Sequence, residues 1–221
     1  MKFFLTCFLF SILTATTINA QKRPLKNRFN VGITAGVNAS QLDGDHFLGF
    51  DKIGFFGGVR AIARINTNDE FVMEMQYNRK GSRNPEQFVP GKTSSHRFIS
   101  LDYIEVPILY HKKIEAEKWI YSVEGGIAYA RLFGFKINEI VNSTTYKTFT
   151  PLQDDFNKNE LALIMGGGVF INENIRVMGR FSVSLTLLYK NENPRRDFPG
   201  EAPSINDLRN YQLAFGANYI F

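Results

Sequence analysis

Between Tyr211 and Phe221 every second residue is apolar or aromatic: Tyr211, Leu213, Phe215, Ala217, Tyr219 and Phe221. The residues between them, Gln212, Ala214, Gly216, Asn218 and Ile220, are mostly small or polar. A period of two means a β-strand with two unlike faces. About 9–11 residues is the length a tilted strand needs to cross a bilayer. This stretch therefore predicts a strand with one face toward lipid, and a strand can sit in a membrane only as part of a closed barrel.

The first twenty residues are of a different kind. Lys2 precedes an apolar run from Phe3 to Leu13, and a polar stretch then ends at Ile18-Asn19-Ala20. A basic start, a short apolar run and a small residue before Gln21 predict a signal peptide over 1–20. The run is too short for a membrane helix of about 20 residues. Cys7, the one cysteine, lies in this leader, so the mature chain is expected to have no thiol or disulfide chemistry. Loss of Lys2 lowers the net charge from +5 to +4. The remaining excess is spread along the chain, whereas a nucleic-acid partner needs a concentrated basic face.

A polar lead, 21–27, comes next, and the barrel domain is expected to fill 28–221. Seven further alternating stretches precede the last one. Phe29, Val31, Ile33, Ala35 and Val37 share a face of the first, and a second strand runs near 53–65. Phe71, Met73, Met75 and Tyr77 face outward in the third, and Ile104, Val106, Ile108 and Tyr110 share a face of the fourth. In the fourth, Pro107 removes a ladder hydrogen bond and predicts a bulge or bend. The fifth is expected over about 119–132, the sixth over 160–171 and the seventh over 175–188. The sixth has the weakest alternation and contains Gly166-Gly167-Gly168, where glycine is expected to relieve crowding or allow bending.

Loop lengths alternate. Segments 41–52, 82–97, 134–159 and 189–206 are long, while 66–70, 112–118 and 172–174 are short. Phe135 to Tyr146 is strand-like and suggests an extension of the flanking hairpin within the longest loop. Outer-membrane barrels have short periplasmic turns and long external loops, and a β-sandwich has no reason to segregate them. Aromatics are expected to form two girdles at headgroup depth. The inner one holds Phe29, Phe71, Trp119, Tyr121, Phe170, Tyr219 and Phe221; the outer one holds Phe55, Tyr77, Tyr129, Tyr189 and Tyr211.

The fold expected is thus all-β: an eight-stranded antiparallel up-and-down transmembrane β-barrel. The same alternation also suits a soluble lipocalin-like barrel with the faces exchanged. Loop asymmetry and the aromatic last strand favour the membrane.

With the apolar faces outward, Arg60, Arg64, Glu74, Lys80, Glu105, Glu124, Arg176 and Arg180 point inward. Buried charges of both signs are expected to pair. Such a network reads as a gate, a narrow ion path or a structural plug. Side chains nearly fill an eight-stranded lumen, which favours the plug. Catalysis is not expected. His46 near Asp43 and Asp45, His96 after Ser94-Ser95, and His111 form no sequence triad, and no Gly-x-Ser-x-Gly or His-Glu-x-x-His occurs. Asp43-Gly44-Asp45 and Asp154-Asp155 lack calcium-loop spacing, and no metal or cofactor is expected.

Several stretches resemble the PorT-like, or porin-family, outer-membrane β-barrel proteins of Gram-negative bacteria. They are Asn30-Val31-Gly32-Ile33-Thr34-Ala35-Gly36-Val37-Asn38, Gly54-Phe55-Phe56-Gly57-Gly58, Leu101-Asp102-Tyr103-Ile104-Glu105-Val106-Pro107, Gly166-Gly167-Gly168-Val169 and the aromatic C-terminus. The resemblance covers the mature chain. It implies a barrel in the bacterial outer membrane, in contact with lipid and lipopolysaccharide. It also implies that Tyr219 and Phe221 form a signal read by barrel-assembly machinery. A monomer is expected, structural or surface-binding through its long external loops. The resemblance adds an external or secretion-system partner and a role in secretion or surface assembly. The alternative readings are a narrow porin-like channel and the lipocalin-like binder.

Overall fold

The computed structural model describes residues 28–44, 49–83, 95–141, 144–146, 156–190 and 207–221. Its strands are β1 (Phe29–Asp43), β2 (Lys52–Arg64), β3 (Asp69–Arg83), β4 (Ser95–Glu115), β5 (Ile120–Val141), β6 (Thr144–Tyr146), β7 (Asn159–Phe170), β8 (Ile175–Ser184) and β9 (Arg209–Ile220). Each is antiparallel to its neighbours, in the order β4-β3-β2-β1-β9-β8-β7-β5-β6, and β4 also pairs with β5. That last pairing closes a barrel of eight staves, and β6 is a short strand beside the far end of β5.

The seam between first and last strands runs from Gly32 opposite Ile220 to Asp43 opposite Arg209. Below it, the Phe221 amide donates to the Val31 carbonyl at 2.9 Å. Two short connections are closed by an asparagine side chain. Asn66 Oδ1 accepts from the amides of Asn68 and Asp69, each at 2.8 Å. Asn172 Oδ1 accepts from those of Asn174 and Ile175 at 2.9 and 2.8 Å. Such side-chain turns are why Asn clusters mark tight connections.

The expected alternation holds on every stave. Val37, Phe55, Met75, Ile108, Ile127, Met165 and Phe215 stand exposed on the outside, while Arg60, Glu74, Lys80, Glu105, Glu124, Arg176 and Arg180 are buried. In water the reverse is the rule for charged groups. A continuous apolar exterior around an ionic interior fits a wall immersed in lipid. It is the opposite of a lipocalin, which keeps its polar residues outside.

Four details differ from the sequence expectations. First, β4 and β5 have 21 and 22 residues, about twice what a crossing strand needs. Their ladder continues to Ser95 opposite Val141, so 135–141 is the hairpin extension expected within the longest loop, while 95–97 falls in a segment expected to be loop. Beyond the lipid there is no one-sided burial to impose alternation, so strand-like composition marks the β5 extension and nothing marks that of β4. Second, Pro107 stays in register opposite Ala128; the irregularity lies between Asp102 and Tyr103, opposite Gly134 and Leu132, leaving Phe133 as the extra residue. On the β3 side the ladder keeps its register but is interrupted between Met73–Ile108 and Gln76–Glu105, beside Pro107. The missing proline N–H accounts for that gap. Third, β8 ends at Ser184 rather than near 188. Fourth, two girdle aromatics face inward. Phe170 is buried with Ile62, Val72 and Leu109. Tyr189 packs against Phe156, ring centroids 5.6 Å apart.

Apolar layers bracket the polar interior. At the long-loop end Leu42, Ile99, Leu101, Tyr103, Leu132, Phe156, Leu188 and Leu208 form a buried cluster, with Phe135 and Tyr189 against it. Nearer the short turns lies the layer that includes Phe170 and Ile220.

Candidate functional site: a salt-bridged lumen

Inward positions on neighbouring strands place unlike charges side by side. Arg60 on β2 is opposite Glu74 on β3, and Glu124 on β5 is opposite Gly166 on β7, which is opposite Arg180 on β8. The eight predicted residues divide into three clusters rather than one network.

The central cluster joins Arg60, Glu74, Glu124, Arg176 and Arg180. Arg180 bridges the lumen. Its Nη1 and Nη2 donate to Glu74 Oε2 and Oε1 at 2.6 and 2.9 Å. Its Nε donates to Glu124 Oε1 at 2.7 Å. Arg176 Nη1 donates to Glu124 Oε2 at 3.0 Å and to Asn218 Oδ1 at 3.2 Å, and its Nε donates to Ser122 Oγ at 2.7 Å. Asn218 in turn donates to Thr34 Oγ1 at 2.9 Å. Arg60 Nε stands 3.7 Å from Glu74 Oε1, an ion pair too long for a hydrogen bond. Forked Arg–carboxylate pairing is the strong, orientation-fixing form of the contact.

The glycines of β7 make this possible. A Cβ on Gly168 would come within 2.9 Å of Arg176 Nε, and one on Gly166 within 3.0 Å of Arg180 Cγ. The triple glycine therefore gives two arginines the room to cross the lumen, which is the relief of crowding expected there.

The second cluster lies toward the long loops. Lys80 Nζ is 2.6 Å from Glu105 Oε2 and 3.3 Å from Glu160 Oε1. Gln76 and Asn78 donate to Glu105 at 3.0 and 3.1 Å. Asn38, Asn78 and Gln212 continue the chain of amide bonds around the wall. Between this cluster and Arg180 is a cavity of about 20 Å³ lined by Gln76, Asn78, Glu105, Ser182 and Gln212 among others. That is room for about one water.

The third cluster is at the short-turn rim. Glu70 accepts from Lys113 Nζ at 2.6 Å and Arg64 Nε at 3.3 Å, and lies 2.9 Å from His111 Nδ1. Arg64 belongs here and not to the central group.

Glu70, Glu160, His111 and Lys113 were missed as lumen residues. Parity was the available signal: Glu70 shares its face with Val72 and Glu74, and Glu160 with Ala162 and Ile164. Glu70 and Lys113 fall just outside the expected strands, whereas Glu160 and His111 are their end residues, where a side chain fits a turn as readily as a lumen. Tyr219 and Phe221 sit on the outer face with ring centroids 5.3 Å apart. His46 and Asp154-Asp155 lie outside the described residues, as does the His96 side chain. Among the described residues no group of three or more His, Cys, Asp or Glu is placed to hold a metal.

Among solved structures, the chain is similar to Ail, the attachment invasion locus protein of Yersinia pestis. The identity is 12% and the TM-score 0.46, over 87% of this chain and 98% of that one. It is also similar to Neisserial surface protein A, with 12% identity and a TM-score of 0.40 over 87% and 97%. A third is the N-terminal barrel domain of Pseudomonas aeruginosa OprF, with 8% identity and a TM-score of 0.38 over 87% and 97%. No curated protein matches. The family model for the outer membrane protein beta-barrel domain matches residues 19–190. The closed antiparallel barrel with its apolar outer wall agrees with that description, and the chain belongs to the outer membrane protein beta-barrel domain family.

Proposed function

We propose that this outer-membrane protein is a monomeric scaffold whose working surface is its long-loop end, acting structurally or by binding a partner there. The observation that carries this reading is the buried apolar cluster from Leu42 to Leu208 that caps the lumen at that end, with salt bridges filling the space below it. A plugged interior supports a surface role over a channel. The β4–β5 ribbon supports it too, since its length beyond a crossing strand stands clear of the lipid. In this reading a leader is cleaved near Ala20, the short turns face the periplasm, and Tyr219 and Phe221 serve recognition by barrel-assembly machinery. Lipopolysaccharide surrounds the outer rim. The resemblance to PorT-like barrels narrows the surface role to one beside a secretion or surface-assembly partner. The test is conductance in planar bilayers. Wild-type protein is expected to give no single-channel steps; discrete steps would replace this reading with the narrow-channel one.

A further inference from the structure

The central cluster does not balance. Three guanidiniums, those of Arg60, Arg176 and Arg180, meet two carboxylates, Glu74 and Glu124, and all five side chains are buried. Both oxygens of Glu74 accept from Arg180. Both oxygens of Glu124 are also taken, one by Arg180 and one by Arg176. Arg60 stands in a long ion pair with Glu74 and is also attracted by the charge of Glu124. Its Nε and Nη1 have no hydrogen-bond partner among the described residues, nor has Nη2 of Arg176. Arg60 is 2% exposed and Arg176 0%.

A buried cation without a partner is costly, and so is each buried N–H left unbonded. The two residues stand on strands three steps apart in the wall. Arg60 on β2 is opposite Gly32 on β1, which is opposite Ile220 on β9, and Arg176 on β8 is opposite Asn218 on the same β9. The charges of Glu74, Arg180, Arg176 and Glu124 all bear on Arg60. Gly32 is closely packed, since a Cβ there would clash with the Tyr219 carbonyl oxygen and stand 3.2 Å from Arg60 Cγ.

We propose that the short-turn half of the lumen binds a small monovalent inorganic anion, chloride in the cell, between Arg60 and Arg176. The anion accepts from Arg60 Nε and Nη1 and from Arg176 Nη2, and it brings the cluster to neutrality. A phosphate dianion is a poorer fit, since the cluster has one charge to neutralise. The site makes the plug, and with it the barrel, an anion-dependent structure.

The test is thermal unfolding of the full protein in neutral detergent, with sodium chloride exchanged for sodium gluconate at constant ionic strength. A ligand that binds only the folded form raises the midpoint with the logarithm of its concentration, by about 5–10 °C at a hundredfold excess over its dissociation constant. Wild-type protein is expected to show that rise, and Arg60→Gln to lose it. Equal wild-type midpoints in chloride and gluconate would overturn the site. So would a rise retained in Arg60→Gln, because that is a general salt effect. If Arg60→Gln fails to fold, crystals of wild-type protein grown in bromide decide. An anomalous peak between Arg60 and Arg176 supports the site, and its absence there overturns it.

Discussion

Arg180 on β8 reaches across the barrel to Glu74 on β3 and grips both its carboxylate oxygens, at 2.6 and 2.9 Å, while its Nε holds Glu124 on β5 at 2.7 Å. One side chain thus ties together three staves, none of which borders another. Glu74→Ala removes a partner from Arg180 and Arg60 together, leaving three buried guanidiniums against Glu124. The expected loss is about 3–5 kcal/mol, the scale for breaking a buried pair. Urea unfolding of the folded barrel, followed by the loss of its fast-migrating unboiled band, measures it. Arg180→Met combined with Glu74→Gln is expected to cost less than the two single losses added, since neither charge is then stranded.

Lys80 stands between two acids, at 2.6 and 3.3 Å. Lys80→Met leaves Glu105 and Glu160 facing each other without a cation and is expected to destabilise by about 3–5 kcal/mol. Adding Glu160→Gln is expected to recover part of that. A double-mutant cycle on the same unfolding assay gives the coupling, expected to be at least about 1 kcal/mol.

The glycines of β7 and β5 have unequal duties. Gly168→Ala puts a methyl into the Val177 carbonyl oxygen and 2.9 Å from Arg176 Nε, whereas at Gly125 the nearest atom to a new Cβ is 3.8 Å away. Gly168→Ala is expected to destabilise by about 1–3 kcal/mol through overpacking. Gly125→Ala is expected to be neutral or to stabilise by a few tenths of a kcal/mol, as the unfolded chain loses freedom. Melting temperatures of the two variants in one detergent separate the effects.

Charge on the outer wall is expected to cost according to depth. Ile108→Arg, at mid-strand, is expected to lose about 2–4 kcal/mol and Ile53→Arg, near the long-loop end of β2, about 0–1 kcal/mol, when both are refolded into lipid vesicles. Equal losses would argue against the lipid-facing assignment of β4.

Sidedness is open to labelling, because the sole native cysteine lies in the expected leader. Thr67→Cys in the first short turn is expected to react with an impermeant maleimide only after the outer membrane is breached. Lys190→Cys, just beyond β8, is expected to react on intact cells. Both residues are exposed. Reversed labelling would invert the proposed orientation.

Much of the wall was legible because one physical rule governs it. Lipid on one side and a packed lumen on the other impose period two, so Val31 and Asn38, or Met75 and Glu74, declare their faces by residue type. The rule fails where its cause does. Phe170 ends β7 beside a turn, where an aromatic fits either girdle or lumen, and it packs inward under Lys113, whose Nζ is 5.2 Å from the ring centroid. Residues 134–141 extend β5 past the lipid, where nothing enforces alternation, and there strand-like composition alone announces the hairpin extension. Inward parity was readable for the eight charged residues, but parity does not say which partner lies across a lumen. That depends on shear and on side-chain reach, and so the split into three clusters emerged only in three dimensions.

The pairing of β1 with β9 has a consequence for how such a molecule comes into being. Every other seam joins strands close in the chain, while this one brings together groups such as Thr34 and Asn218, 184 positions apart. Until β9 is in place, the growing sheet carries two raw edges, each a row of unsatisfied amides and carbonyls that neither water-free lipid nor a solitary chain tolerates. The last stave is therefore the key of an arch: it completes two seams at once, and before it arrives the sheet has an open edge on either side.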